Sequence, residues 1–331
     1  MKQKGFTLVE MMISLFIGGL ILGGVMFTYI GMKVTTKDTM TIGELQESGR
    51  LAINIMQRDI EQIGFWGTYY DDSFTAINTD TLANPGTDCF EGLNNGSFPD
   101  FATASNFRTI YAKVAGESKE LNCLNNPIKS TDIIQLKFLQ GKSLTVNAVT
   151  NETQADENYF VAEQEKAQFF RGTVNAASLN VNATVWPYSH HVYYLSEQTY
   201  KVNNKNLTVP ALMRKRLVGG NINTETIMEG VENMRFVFGL DTNSDNRVDT
   251  YRSIQDMKHT DWENRKGILT VQVFLLIRAL QPDPGVKIKN QTYTLGEDED
   301  KRELKFTDSF RRTVFTTTIR LNNVGSNLWR I

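Results

Sequence analysis

Histidine is scarce, and the familiar catalytic spacings are missing. The 331-residue chain holds three histidines, His190, His191 and His259. The first two are adjacent, and neighbours on a strand point to opposite faces, which suits chelation poorly. Structural roles are expected for all three. No His-Glu-x-x-His, Cys-x-x-Cys, nucleophile elbow or phosphate loop occurs. Carboxylates are plentiful, but nothing pairs them at catalytic spacing. An enzyme is therefore not expected, and no cofactor is required. An excess of one charge is absent too. With 35 basic and 37 acidic residues the net charge is -2, so bulk electrostatics points to no nucleic-acid partner. The short basic clusters Arg214-Lys215-Arg216 and Arg311-Arg312 read as solvated faces.

Charge is also missing between Met11 and Met32. Those residues span about 33 Å as a helix, enough for a bilayer's hydrocarbon core. Lys2 and Lys4 precede the run, so the chain after Met32 is expected to face outward, in the periplasm of an inner-membrane protein. Gly31-Met32-Lys33-Val34-Thr35 offers no Ala-x-Ala cleavage site, so the segment reads as a retained anchor. On the exported side Cys89 and Cys123 can form a disulfide. It would close a loop of roughly 35 residues, worth ~3–4 kcal/mol; two free buried thiols are the alternative.

Glu10 sits at the edge of the apolar run. A charge at a membrane helix centre costs ~2.5–3.5 kcal/mol, and such groups usually have a partner. The string Lys4-Gly5-Phe6-Thr7-Leu8-Val9-Glu10 resembles the prepilin leader. The resemblance implies cleavage by prepilin peptidase between Gly5 and Phe6, N-methylation of Phe6, and Glu10 as fifth residue of the mature chain. The Phe6 amine and the Glu10 carboxylate, both costly in lipid, would neutralise each other between neighbouring subunits and set their axial stagger. Gly19 and Gly23 form a small-xxx-small pair suited to close helix contact; a segment that bends or melts on assembly is the other reading of this glycine-rich stretch.

Helical periodicity continues past the membrane. Ile42, Leu45, Gly49, Ala52, Met56, Ile60 and Ile63 recur at spacings of three and four, and Gly64 is a stop signal. The reading divides the chain into a leader (1–5), a membrane or filament-core helix (6–32), an amphipathic helix (33–64) and a sheet domain (65–331). Phe65 and Trp66 are expected to anchor helix to sheet. Residues 65–127 are rich in turn signals, with one strand near 108–114. Strand patterns follow. Ile134, Leu136 and Phe138 alternate with Ile133, Gln135 and Lys137, and Val192 and Tyr194 with His191 and Tyr193. Met234, Phe236, Phe238 and Leu240 form one face of a third strand. Leu269 to Ile277 forms the longest and most central, and Phe315 to Leu321 the last. Gly296-Glu297-Asp298-Glu299-Asp300 reads as a solvated loop. Without crossover helices, the expected fold class is α+β and pilin-like: a long N-terminal helix on an antiparallel sheet with a long loop region.

Val192-Tyr193-Tyr194-Leu195, Met213-Arg214, Glu229-Gly230-Val231-Glu232-Asn233-Met234, Phe238-Gly239-Leu240-Asp241 and the run from Arg312 to Leu321 look like the PilW family of minor pilins. That resemblance implies a part in starting type IV pilus assembly, with the other minor pilins, the major pilin and a large tip protein as partners. A pseudopilin of type II secretion shares the leader and the helix-on-sheet plan. A third reading is an adhesive or binding module carried on a pilin anchor, with its activity in residues 65–185.

One loop carries a metal pattern. Asp241, Asn243, Asp245 and Asp249 stand at positions 1, 3, 5 and 9 of a calcium-type loop, and the Arg247 carbonyl could add a ligand. Asn246 replaces the usual Gly, and Arg252 the bidentate Glu, so an outside ligand such as Asp256 would be needed. The alternative is an Asx-rich hairpin turn.

Overall fold

The computed structural model describes residues 5, 7–71, 73–202, 204–264, 267–283, 290–297 and 301–324. Phe6, Lys2, Lys4 and residues 298–300 of the acidic loop lie outside them. The chain divides into two compact units, residues 1–47 and 48–331. Helix α1, Leu8–Glu61, runs through both without a break. It is long and apolar enough to cross a membrane, and its most apolar window is wholly exposed. In its later turns Leu45, Ala52, Met56 and Ile60 are buried, as the three-four spacing requires, whereas Ile42 is 45% exposed. The helix ends before Gly64, whose φ of +89° is open to glycine without strain.

The second unit is built on strands. They are β1 Thr79–Asp80, β2 Ile110–Val114, β3 Lys119–Glu120, β4 Leu124–Asn125, β5 Asp132–Leu139, β6 Asn158–Ala162, β7 Ala167–Arg171 and β8 Thr184–Val202. After them come β9 Lys205–Val218, β10 Asn221–Glu229, β11 Val231–Leu240, β12 Thr250–Ser253, β13 Ile268–Arg278, β14 Gln291–Leu295, β15 Arg302–Phe306 and β16 Arg312–Arg320. A short helix α2, His259–Glu263, precedes β13. The strands make two main sheets where the sequence suggests one. The eight-stranded sheet has the order β1-β7-β6-β8-β5-β2, with β9 on β8 and β10 on β9. The four-stranded sheet is β12-β11-β13-β16, with β13 central as expected. The longest strand is β8, at 19 residues, not β13. All pairings in both sheets are antiparallel except β1 with β7.

A third layer lies on the large sheet. Every residue of β5 is buried, Gln135 and Lys137 included. On one face Leu136 and Ile134 sit beside His191 and Tyr193, both bonded to Asp59 of α1. On the other face Gln135 Nε2 donates to the Cys89 carbonyl and Lys137 Nζ to the Arg108 carbonyl. The irregular segment after α1 therefore covers the face opposite the helix. Cys89 and Cys123 are joined in a disulfide, Cα to Cα 4.9 Å, which ties this cover to itself. Trp66 and Tyr69, just past the helix, enter an aromatic core with Phe74, Phe98, Phe107, Phe160, Phe169 and Tyr188. Phe65 stacks edge-on against Trp186.

Candidate functional site

Two polar constellations stand out, and they do different work. The first begins α1. Thr7 Oγ1 accepts from the Glu10 N–H at 3.3 Å, and Glu10 Oε2 accepts from the Thr7 N–H and the Thr7 hydroxyl, each at 2.9 Å. This is a reciprocal capping box. It places the carboxylate over the helix N-terminus, where free N–H groups and the helix dipole favour negative charge. The Thr-x-x-Glu spacing for it stands in the sequence at Thr7 and Glu10, and the expectation for Glu10 alone overlooked it. Glu10 is exposed, as are Leu8 to Met12 around it. Gly19 and Gly23 lie in unbroken helix with nothing within 4 Å of where a Cβ would be, so this stretch of α1 presents bare backbone to whatever surrounds it.

The second constellation is buried between the large sheet and its cover. Asp88 accepts from the Ser97 hydroxyl at 2.6 Å, the Ser97 N–H at 2.7 Å and the Cys89 N–H at 2.8 Å. Ser97 Oγ lies 2.8 Å from His190 Nδ1. Tyr188 donates to the Ser97 carbonyl, and Asn95 to Gln135. A serine, a histidine and an aspartate thus meet, but not as a nucleophile with its base. Ser97 and His190 are both 0% exposed, and the hydroxyl hydrogen is committed to Asp88. Burial depresses the His190 pKa well below its usual value and raises that of Asp88. Burial also pulls the Lys137 ammonium down to about 7. The group reads as a polar seam that satisfies the underside of the cover.

A third polar contact fixes α1 to the sheet. Asp59 Oδ2 accepts from Tyr193 OH at 2.6 Å and lies 2.5 Å from His191 Nδ1, with Arg214 Nη1 at 3.8 Å. His190 and His191 therefore do point to opposite faces, and each is structural. His259 meets the Arg108 guanidinium at 3.3 Å. The basic clusters are not simply solvated. Arg214 and Arg216 pair with Glu225, and Arg311 with Asp283. Arg312, its side chain 0% exposed, pairs with Glu232 and Asp308 and lies 3.7 Å over the Phe306 ring. Of these residues Arg312 alone is buried, and it is held by two carboxylates.

In the loop with the calcium pattern, the carboxylates hold the backbone. Asp241 Oδ1 accepts from the N–H groups of Asn243, Ser244 and Asp245, and Oδ2 from that of Asn246. Asp249 accepts from Thr242 and Asn243, and Asp245 Oδ1 from the Arg247 N–H. Asn246 takes the left-handed conformation at φ 67°. Arg252 pairs with Asp261, and Asp256 accepts from Ser253. Among the described residues no group of three or more His, Cys, Asp or Glu side chains is arranged to hold a metal. The geometry is that of nested Asx turns.

The helix, its carboxylate cap and the sheets behind it agree with the comparison to known families. Residues 192–323 match the family described as Type IV Pilus-assembly protein W, and residues 1–26 match the prokaryotic N-terminal methylation motif. The chain thus carries a PilW-type segment behind the N-terminal methylation motif of type IV pilin-like proteins. The PilW match runs from within β8 to just past β16 and so takes in the four-stranded sheet. Most of the cover lies outside both matches. No curated protein and no solved structure matches the chain.

Proposed function

We propose that this PilW-type chain is a minor pilin that helps start type IV pilus assembly. In this reading it waits in the inner membrane with its sheets in the periplasm, then enters the pilus or its tip complex beside the other minor pilins. Prepilin peptidase cuts between Gly5 and Phe6, and the methylated Phe6 amine of one subunit meets Glu10 of the next. The observation that carries the reading is Glu10 itself: a carboxylate at the head of an exposed stretch of helix that holds no other charge as far as Met32, bonded among the described residues to Thr7. Exchanging that cap for a neighbour's amine replaces a dipole interaction with a full ion pair in apolar surroundings. Bare backbone at Gly19 and Gly23 would let a neighbouring helix come close.

The PilW match favours this role over a type II secretion pseudopilin. An adhesive module in 65–185 is less favoured, because Asp88, Ser97, Gln135 and Lys137 are spent on holding the cover down. The test is mass spectrometry of the mature N-terminus from the native host, with filament assembly compared between wild type and Glu10→Ala. Methylated Phe6 with assembly lost in the variant is expected. An intact Met1 would overturn the reading.

A further inference from the structure

Strands β8 and β9 outrun the sheet they belong to. The last rung joining β5 to β8 is Ile134 with Tyr193, followed by a single bridge from Pro127 to Ser196. On the other side β10 stops at Glu229 opposite Ala211, and the Gly230 N–H donates to the Pro210 carbonyl. From there to Val202 opposite Lys205, among the described residues, the two strands pair only with each other. A bare two-stranded ribbon of this kind is marginally stable in water. Ladder direction alternates along a strand. The Leu195 carbonyl points away from β9, where it accepts from the Ile128 N–H. The backbone groups of Glu197, Thr199 and Lys201 therefore point away from β9 as well. Among the described residues they meet one partner, the Gln198 side-chain amide, which donates to the Glu197 carbonyl at 3.2 Å. All three residues are exposed. Among the described residues neither Glu197 nor Lys201 has an ion-pair partner.

These three side chains share one face of the ribbon, and their order is complementary to itself. Consider a second copy turned by a half-turn, its β8 antiparallel to this edge and Thr199 opposite Thr199. Glu197 of each copy then faces Lys201 of the other. Opposite charges and threonine pairs are both favourable cross-strand neighbours. Thr199 already stands opposite Thr208, with the hydroxyls 3.3 Å apart, so the pairing lines up threonines across all four strands. The register is specified too. A slip of two residues leaves both charges without a partner, and a slip of four sets like charges together. Tyr200 lies on the other face, where its hydroxyl is tied to Glu229, and stays out of this row. The complementarity is between the edge and itself, which is what a closed twofold pair requires.

We propose that two copies of this chain pair through the 197–201 edge of β8, joining their large sheets into one. This goes beyond the pilin reading above, which needs no second copy. The contact is small and weak between freely diffusing chains; two copies anchored in one membrane meet at a higher effective concentration. The test uses the full-length chain in membranes of its native host. Its two cysteines are bonded to each other, so an added cysteine reports alone. Thr199→Cys sets two thiols on directly opposite residues, about 5.5 Å apart at Cα and within reach of a disulfide. Mild copper-phenanthroline oxidation should give a dimer on a non-reducing gel. Thr208→Cys lies three strand spacings from its counterpart, about 14 Å, and should stay monomeric. In the Thr199→Cys background, Glu197→Lys sets lysine against lysine twice and should lower the dimer about fivefold. Adding Lys201→Glu should restore it. Melting in detergent should be the same for all of these variants; if Glu197→Lys lowers it, recovery in the charge swap decides. No dimer from Thr199→Cys, as much from Thr208→Cys, or no recovery in the swap would overturn the proposal. A link to a different protein would overturn it in favour of a heterologous strand. A chain missing from the membrane fraction would count against the pilin reading instead, and the same cross-links on the purified chain would still decide the pairing.

Discussion

Removing the Asp59 carboxylate should loosen α1 from the sheet at one point. Asp59 is 8% exposed, and its Oδ2 serves both the Tyr193 hydroxyl and His191. Tyr193 is 0% and His191 2% exposed, so neither donor can turn to water. His191 Nε2 already lacks a partner, which makes Nδ1 the ring's remaining tie. In Asp59→Ala two buried donors lose their acceptor at about 1–3 kcal/mol each. Arg214 at 3.8 Å also loses part of its balancing charge, although Glu225 at 2.8 Å remains. The expected cost is about 3–5 kcal/mol, the range for breaking a buried polar pair from one side. Asp59→Asn keeps one acceptor and should cost about half as much. The assay is urea unfolding of the full chain in detergent, followed by tryptophan fluorescence from the core around Trp66. A double-mutant cycle with His191→Phe should show coupling of at least about 1 kcal/mol. Asp59→Ala within about 1 kcal/mol of wild type, or Asn as costly as Ala, would refute the reasoning.

Four further outcomes follow from particular contacts. Replacing Cys89 and Cys123 by Ser reopens a loop with a sequence separation of 34 and should cost about 4 kcal/mol, read as a lower urea midpoint with unchanged wild-type behaviour under reductant-free conditions. In Gly49→Ala the new Cβ would fall 2.3 Å from the Phe315 ring. Overpacking of about 1–3 kcal/mol should outweigh the gain in helix propensity, and Phe315→Leu should restore the melting temperature; a more stable single variant would show the ring has room to move. Lys137 is fully buried with its pKa lowered to about 7, so above pH 7 the folded state holds fewer protons than the unfolded one. Stability should then rise by about 1.4 kcal/mol per pH unit from pH 7 towards 10, a slope that Lys137→Met flattens. Beyond pH 10 the buried phenols of Tyr193 and Tyr194, whose pKa values burial raises, reverse the trend. Finally, calcium at about 5 mM should leave the melting temperature unchanged, because the Asp241 and Asp249 oxygens already hold backbone N–H groups; a clear rise would mean those turns open for the ion.

What the sequence made legible divides by how local the cause is. The uncharged run, the Glu10 position, the helix face through Ala52, Met56 and Ile60, and the stop at Gly64 each depend on neighbours within a turn or two. So does the alternation that puts Ile134, Leu136 and Phe138 on one side of β5. The second sheet was not legible, because nothing in a strand's own pattern says which of several partners it will join. The residues of the cover were harder still. Gln135 and Lys137 look like the wet side of a half-buried strand, and only Cys89, Asn95 and Arg108, tens of residues away, turn that side into core. Asp59 hides in the same way. Among Gln57, Arg58 and Glu61 it reads as one more polar residue on a solvated helix face, and its partners lie more than 130 positions downstream.

The adjacent pair His190-His191 shows why the cover belongs to the fold and is not an appendage. Successive residues on a strand address opposite faces. Here one imidazole meets Asp59 of the helix, and the next meets Ser97 of the cover. A strand with solvent on one side needs no second buried polar residue, and placing one there without a partner would cost about 1–3 kcal/mol. Each histidine is tolerable only while its own layer is in place, so helix and cover stabilise β8 jointly. The disulfide then acts at a distance from the helix: by tying Cys89 to Cys123 it keeps Asp88 and Ser97 over His190. If the cover lifts, Gln135, Lys137 and His190 lose their partners together. Opening this layer should therefore be cooperative, and hydrogen exchange at the amides of β5 and β8 should report it as a single unit, accelerating together in the Cys89→Ser, Cys123→Ser variant. Independent exchange of the two strands would mean that the seam is a collection of separate contacts.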